Sequence, residues 1–266
     1  MLLPWRDELH IAIRPTELVR VRRTFGARGV RAEHATSPVE PAADNRAWRS
    51  AIDVLAQGVA QLAERPASVR IVLSNHFVRY AIAPWRDDMR SPAEREGFIR
   101  HCFRENYGDA AEGWVIRENP EPYGRASLAC AVDRELVDAV RDVFRGTRLS
   151  LAAIQPLFMA AFNKYRKALG STGCFLVYEK GRLCGATYAD GEWRSALAVR
   201  VEEGCFNAAT IERELLLQGV PEDFPVFLCQ VDDASDPGTF ARPVKRLDPP
   251  GLDEPDFTAA LLGGGE

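Results

Sequence analysis

Six cysteines and four histidines are the residues of this chain best fitted to nucleophilic or metal chemistry, and their spacing speaks against both. Cys102, Cys130, Cys174, Cys184, Cys205 and Cys229 form no C-x-x-C pair, and none has a histidine at zinc-finger spacing. Most lie in apolar runs such as LACAV and VFLCQV, where a thiol behaves as a small hydrophobe. His101 precedes Cys102, but adjacent residues on a helix point in different directions and make a poor nucleophile–base pair. Asp87-Asp88, flanked by Arg86 and Arg90, reads as a salt-bridged loop rather than a metal seat. Neither a G-x-S-x-G elbow nor a G-x-x-x-x-G-K-[ST] loop occurs. Gly263-Gly264-Gly265 has no helix after it and reads as a terminus. The sequence therefore predicts no catalytic residue and no metal.

The elements that would carry any site follow from periodicity. ELHIAIR and ELVRVRR alternate apolar and polar residues as strands do, with Pro15-Thr16 as the turn between them. A third strand is expected near residues 29–34. RAWRSAIDVLAQGVAQLAER spaces Trp48, Ile52, Leu55, Val59 and Leu62 as a helix, capped by Asp44 or Asn45 and stopped by Pro66. SVRIVLS is a strand of the buried kind, and HFVRYAIAPW another. Ser91-Pro92 opens a helix, two strands follow, and Asp133 to Phe144 is a helix ended by Gly146. RLSLAAI is a strand, with a helix from Pro156. CFLVYEKGRLCGATY is a hairpin turning at Lys180-Gly181. EWRSALAVRV, NAATIERELLLQG and FPVFLCQV complete a second strand–strand–strand–helix–strand run.

That order appears twice, over residues 8–74 and 174–231. A meander whose crossover helix returns to a parallel strand is a right-handed unit. The reading is an α/β fold of actin/RNase H type, with two related βββαβ lobes around a cleft and a reduced second lobe. The divisions expected are a first lobe over 1–150 with an insert at about 86–125, a second lobe over 151–232, and a flexible acidic, Pro/Gly-rich tail over 233–266.

Charge is nearly balanced, 34 Lys+Arg against 38 Asp+Glu, but it is uneven along the chain. Residues 14–31 carry six arginines and one acid, Glu17. Arg20 and Arg22 share one strand face and, with Arg14, form a candidate surface for a membrane or a partner. The overall acid excess and the lack of interleaved aromatics argue against nucleic acid. MLLPWRDELH has neither a basic n-region nor an apolar h-region, and no apolar run approaches the ~20 residues of a membrane span. The expectation is a cytoplasmic chain, with peripheral attachment to the inner membrane open to it.

The stretch VRIVLSNHFVRYAIAPW resembles the PilM and GspL cytoplasmic proteins of type IV pilus and type II secretion machines, at Leu73-Ser74, Val78-Arg79-Tyr80 and Pro84-Trp85. Ile154-Gln155-Pro156 before the second half is also similar. The resemblance implies a scaffold that docks inner-membrane pilus or secretion proteins, and an assembly ATPase as a further partner. The chain is shorter than PilM and lacks the transmembrane helix of GspL. Actin-like ATPases grip phosphate with two Asp-x-Gly hairpin turns, whose glycine exposes N–H groups and whose acid holds Mg²⁺. Here the first turn, Ile13-Arg14-Pro15-Thr16-Glu17, has no aspartate and no glycine, and Pro15 lacks an N–H. The second, Tyr178-Glu179-Lys180-Gly181, also lacks the pattern. A scaffold without a bound cofactor is the expected function. The alternative is an ATP-binding phosphotransferase, sugar kinase-like, using Arg14, Glu179 and Lys180.

Overall fold

In the computed structural model, residues 7–26, 29–40, 46–89, 91–119, 121–202, 204–231 and 236–247 are described. They fall in two compact units.

The first unit holds a five-stranded sheet in the order β3-β2-β1-β4-β8. β1 (Asp7–Ile13), β2 (Glu17–Gly26) and β3 (Gly29–Pro38) form the antiparallel meander. β4 (Ala67–Leu73) pairs parallel to β1, and β8 (Leu149–Pro156) parallel to β4. β1 is the middle strand, so both its faces are covered: Leu9, Ile11 and Ile13 are fully buried on one, His10 and Ala12 nearly so on the other. The crossover helix α1 (Trp48–Leu62) buries Trp48, Ala51, Ile52 and Leu55 at the expected spacing. The cap proposed at Asp44 or Asn45 lies outside the described residues, and Ala47, which precedes α1, supplies no side-chain cap. α3 (Arg134–Phe144) adds Leu136, Val137, Val140 and Phe144 to this core.

The second unit repeats the plan. β9 (Gly173–Glu179), β10 (Arg182–Ala189) and β11 (Glu192–Arg200) form a meander. α5 (Ala208–Leu217), capped by the Asn207 side chain, leads to β12 (Val226–Gln230), which is parallel to β9. The order β11-β10-β9-β12-β13 matches that of the first sheet. Leu176, Leu183, Leu197, Ile211, Leu215 and Leu228 form the core between sheet and helix.

Three expectations are corrected. The tail is not wholly loose, because Val244–Leu247 forms β13, parallel to β12; four residues in a Pro/Gly-rich stretch carry too little periodicity to announce a strand. The insert does not belong to the first unit. Residues 78–133, with β5 (Val78–Ala83), α2 (Pro92–Tyr107), β6 (Trp114–Glu118) and β7 (Ser127–Asp133), group with 161–249. β5-β7-β6 is a separate antiparallel sheet, and β5 packs beside β11. Consequently the chain is not cut at residue 150. A boundary read along the chain cannot reveal a segment that leaves one unit to pack in the other. α4 (Leu157–Tyr165) carries the chain from the first unit back into the second. No helix among the described residues is long and apolar enough to cross a membrane.

Candidate functional site

The two hairpin turns named by the sequence are built in the same register. Between β1 and β2 the closing residues are Arg14 and Glu17, around Pro15-Thr16; the Arg14 N–H donates to the Glu17 carbonyl at 3.1 Å. The Arg14 guanidinium, only 8% exposed, also donates to the Glu17 carboxylate. The acid of this turn is thus engaged by a cation three residues away. Between β9 and β10 the closing residues are Glu179 and Arg182, around Lys180-Gly181, with Gly181 at φ +83°. A side chain there would be strained, which explains the glycine.

Glu179 is 1% exposed. Arg182, not singled out from the sequence, keeps its Nε buried without a hydrogen-bond partner. Arg79 on β5 is half-buried; burial lowers its affinity for a proton, and the charge of Arg182 lowers it further. A second cation near the β9–β10 turn thus comes from the insert, and only the Arg79–Arg182 proximity, invisible along the chain, reveals it. Arg14 stands in the first unit, and Glu179 and Lys180 in the second.

The arginine surface expected on β2 is corrected. Opposite Leu9 and Ile11 in the ladder, Arg22 and Arg20 share the face covered by α1. Arg22 is 8% exposed and donates to Asp7 Oδ2 at 3.3 Å and to the Leu62 carbonyl in the last turn of α1. A cation placed there satisfies an otherwise orphaned helix carbonyl. Arg20 donates to Ser37 Oγ at 2.9 Å. Both line a cavity of about 340 Å³ together with Glu33, Gln61 and Arg65. Strand alternation correctly grouped Arg20 with Arg22, but it did not say which face α1 would take.

A second cavity, of about 310 Å³, lies wholly in the second unit. Its lining mixes apolar Trp85, Met89 and Pro92 with charged Arg95, Glu118 and Arg125. Ser91 and Glu94 form a capping box at the start of α2, which fixes this corner. Arg95 donates to Glu118 Oε2 at 2.8 Å, to Ser127 Oγ at 2.7 Å and to the Pro84 carbonyl at 2.9 Å. Burial raises the Glu118 pKa, but the hydrogen bonds from Arg95 and Ser127 and the Arg95 charge outweigh it and hold the carboxyl below its ordinary value. Tyr123, 81% exposed, packs edge-on to Trp85 at 4.6 Å, and Trp85 Nε1 donates to Asp87 Oδ1 at 2.8 Å. Asp87 is therefore an anchor for Trp85, with Asp88 held by Arg86 at 2.9 Å. Half-buried Trp85 with exposed Tyr123 and Arg125, around a pocket of mixed apolar and charged lining, has the composition of a protein-binding hot spot. The sequence clue was Pro84-Trp85 beside a charged loop.

The cysteines are free thiols. Burial pushes Cys130 up to about 11 and Cys174 and Cys184 up to about 12, so these three are protonated, unreactive packing groups. Among the described residues no three His, Cys, Asp or Glu side chains gather as metal ligands would.

No protein-family model matches the chain, and no curated protein does. Solved structures do. A chain of a PilM–PilN type IV pilus biogenesis complex is similar with a TM-score of 0.65 at 15% identity, covering 96% of each chain. The cytoplasmic domain of EpsL, an inner-membrane component of the type II secretion system of Vibrio cholerae, gives 0.60 at 11% identity, over 97% of this chain and 93% of that one. A Bacteroides thetaiotaomicron protein of actin-like ATPase fold and unknown function gives 0.63 at 10% identity, over the whole of both chains. The fold is actin-like, as in the Bacteroides protein, and is shared with the EpsL cytoplasmic domain and the pilus-complex chain.

Proposed function

We infer that this chain is a cytoplasmic scaffold that docks inner-membrane components of a type IV pilus or type II secretion-like assembly, without hydrolysing ATP. The observation that carries the reading is the β1–β2 turn. Where an actin-like ATPase needs backbone donors and a carboxylate to hold Mg²⁺-phosphate, Arg14 occupies the Glu17 carboxylate and Pro15 offers no N–H. Fold likeness to the pilus-complex chain and to the EpsL domain supports the choice of machine. The cavity beside Trp85 and Tyr123 is the docking place, because its aromatic and arginine side chains suit an apolar segment with polar flanks.

The test has two arms. Calorimetric titration with Mg-ATP is expected to show no binding. Capture from native membranes is expected to recover pilus or secretion inner-membrane proteins with the wild-type chain and to lose most of them with Trp85→Ala plus Tyr123→Ala. Recovery of soluble metabolic enzymes alone would refute the scaffold.

One observation favours the phosphotransferase reading. The unpartnered Nε of Arg182, with Arg79 nearby, is a positive pair that an anionic group would stabilise. Micromolar Mg-ATP affinity that Arg182→Ala abolishes, with turnover, would establish that reading instead.

A further inference from the structure

We propose that β3 is a self-association edge, at which two copies of this chain pair their β3 strands antiparallel about a two-fold axis centred on Ala32. The inference is independent of the scaffold reading.

β3 closes one side of the first sheet and is ten residues long, with every residue but Ser37 exposed. The phase of the ladder fixes which backbone groups face outward. Arg14 N–H donates to Glu17 O, and Val39 N–H donates to Thr16 O at 2.8 Å, extending the Leu18–Ser37 and Arg20–Ala35 alternation. Residues 31, 33, 35 and 37 therefore bond inward to β2, and Val30, Ala32, His34 and Thr36 direct their backbone groups outward. The inward-bonding residues carry the charges: Arg31, 81% exposed at its side chain, and Glu33, 47% exposed.

Protective edges usually carry a charge of one sign or an inward-pointing one. Opposite charges two residues apart do something else, because they are complementary to themselves under two-fold rotation. Pairing centred on Ala32 sets Arg31 of each copy directly opposite Glu33 of the other, giving two cross-strand ion pairs. Slipping to a centre on Glu33 sets that carboxylate against its own mate, which is repulsive. The present partners of Glu33 are long and exposed, 3.7 Å from Arg31 and 3.6 Å from Arg65, so little is lost in exchanging them. Ala32, at the axis, is small enough not to separate the strands. Val30, 57% exposed, gains cover in the same step.

Sedimentation equilibrium on the full chain tests this. Wild type is expected to dimerise in the micromolar range. Arg31→Glu and Glu33→Arg are each expected to weaken the dimer about tenfold or more, since each makes two facing pairs repulsive. Mixing the two variants is expected to restore association as a heterodimer, because the all-acidic strand then faces the all-basic one. In a Cys205→Ser background, Ala32→Cys is expected to form a disulfide-linked dimer under mild oxidation and Thr36→Cys is not, since hydrogen-bonded neighbours at the axis lie about 5.5 Å apart, within disulfide reach. Thermal melts matching wild type establish that the variants are folded. A wild-type chain that stays monomeric, variants that associate unchanged, or β3 amides that gain exchange protection only when a membrane partner is added would each overturn the proposal.

Discussion

The two five-stranded sheets share a strand order, and residue-by-residue alignment at the turns shows how differently the plan is filled. Arg14-Pro15-Thr16-Glu17 corresponds to Glu179-Lys180-Gly181-Arg182, with the flanking charges exchanged. Three residues on, Arg20 corresponds to Gly185, and two further, Arg22 corresponds to Thr187. In the first sheet α1 lies over guanidinium groups held by Asp7, Ser37 and a helix carbonyl. In the second, α5 lies over an apolar surface in which Gly185 makes room for Leu176 and Leu197. The edges differ likewise: β3 is exposed along its length, whereas β11 is packed beside β5. One topology thus tolerates either filling of its helix layer, with hydrogen-bonded guanidinium groups in the first sheet and apolar contacts in the second.

Exchanging residues between the sheets gives the largest expected effect. Gly185→Arg would drive a Cβ into Leu176 and bury an unpaired cation, so a loss above ~4 kcal/mol and an unfolded second unit are expected. The reverse change, Arg20→Gly, is expected to lower stability by about 1–2 kcal/mol, through one lost hydrogen bond and added chain freedom. Denaturant melts that rank the two changes in the opposite order would break the comparison.

The edges come next. Trp193 on β11 is 5% exposed, packs on Phe162 at 4.7 Å and donates to Glu121 at 3.1 Å. Trp193→Ala is expected to cost about 3–4 kcal/mol. On β3, at a concentration where the chain is monomeric, Val30→Thr is expected to change stability by less than ~0.5 kcal/mol, as exposed positions do. Equal losses would mean that β3 is as buried in solution as β11.

Arg95→Ala follows, at about 2–3 kcal/mol, below the roughly 3–5 for a fully buried pair because both side chains keep some solvent contact. Its pH signature is specific. The Glu118 carboxyl is held below its ordinary value in the folded state, so the stability it contributes is present above the unfolded carboxylate pKa and is lost as pH falls through the folded one. The variant is expected to lose that acid-side slope while retaining the slope near neutrality.

Much of this was legible in the chain. The repeated strand–strand–strand–helix–strand order is written in periodicity, and the turns at Pro15-Thr16 and Lys180-Gly181 in their residue types. Ser91 announced its own cap. What the chain did not disclose needed three dimensions: which face of β2 α1 covers, and hence the fate of Arg20 and Arg22; the grouping of 78–133 with the second sheet; and the approach of Arg79 to Arg182. The Trp85 cavity is half legible, since Trp85 and Asp87-Asp88 stand out in the sequence but Tyr123 and Arg95 join them only through folding.

The smallest effect separates the sheets by titration. His10 on β1 corresponds to Phe175 on β9, so a position that is apolar in one sheet is ionisable in the other. His10 is 7% exposed, and burial lowers its pKa more than the hydrogen bond and charge of Glu8 raise it, with Arg23 and Arg70 adding to the lowering. The folded chain thus holds this imidazole neutral at a pH where the unfolded chain protonates it. The unfolded state then binds more protons, so stability declines as pH falls through the ordinary histidine range and levels off below the folded value. His10→Gln is expected to flatten that part of the melting-temperature profile for the first unit, whereas Phe175 gives the second unit no counterpart. Amide exchange measured at two pH values on either side of the histidine range checks it: opening of β1 should become easier at the lower pH and opening of β9 should not. Equal acceleration in both strands would place the neutral-range pH dependence elsewhere than at His10.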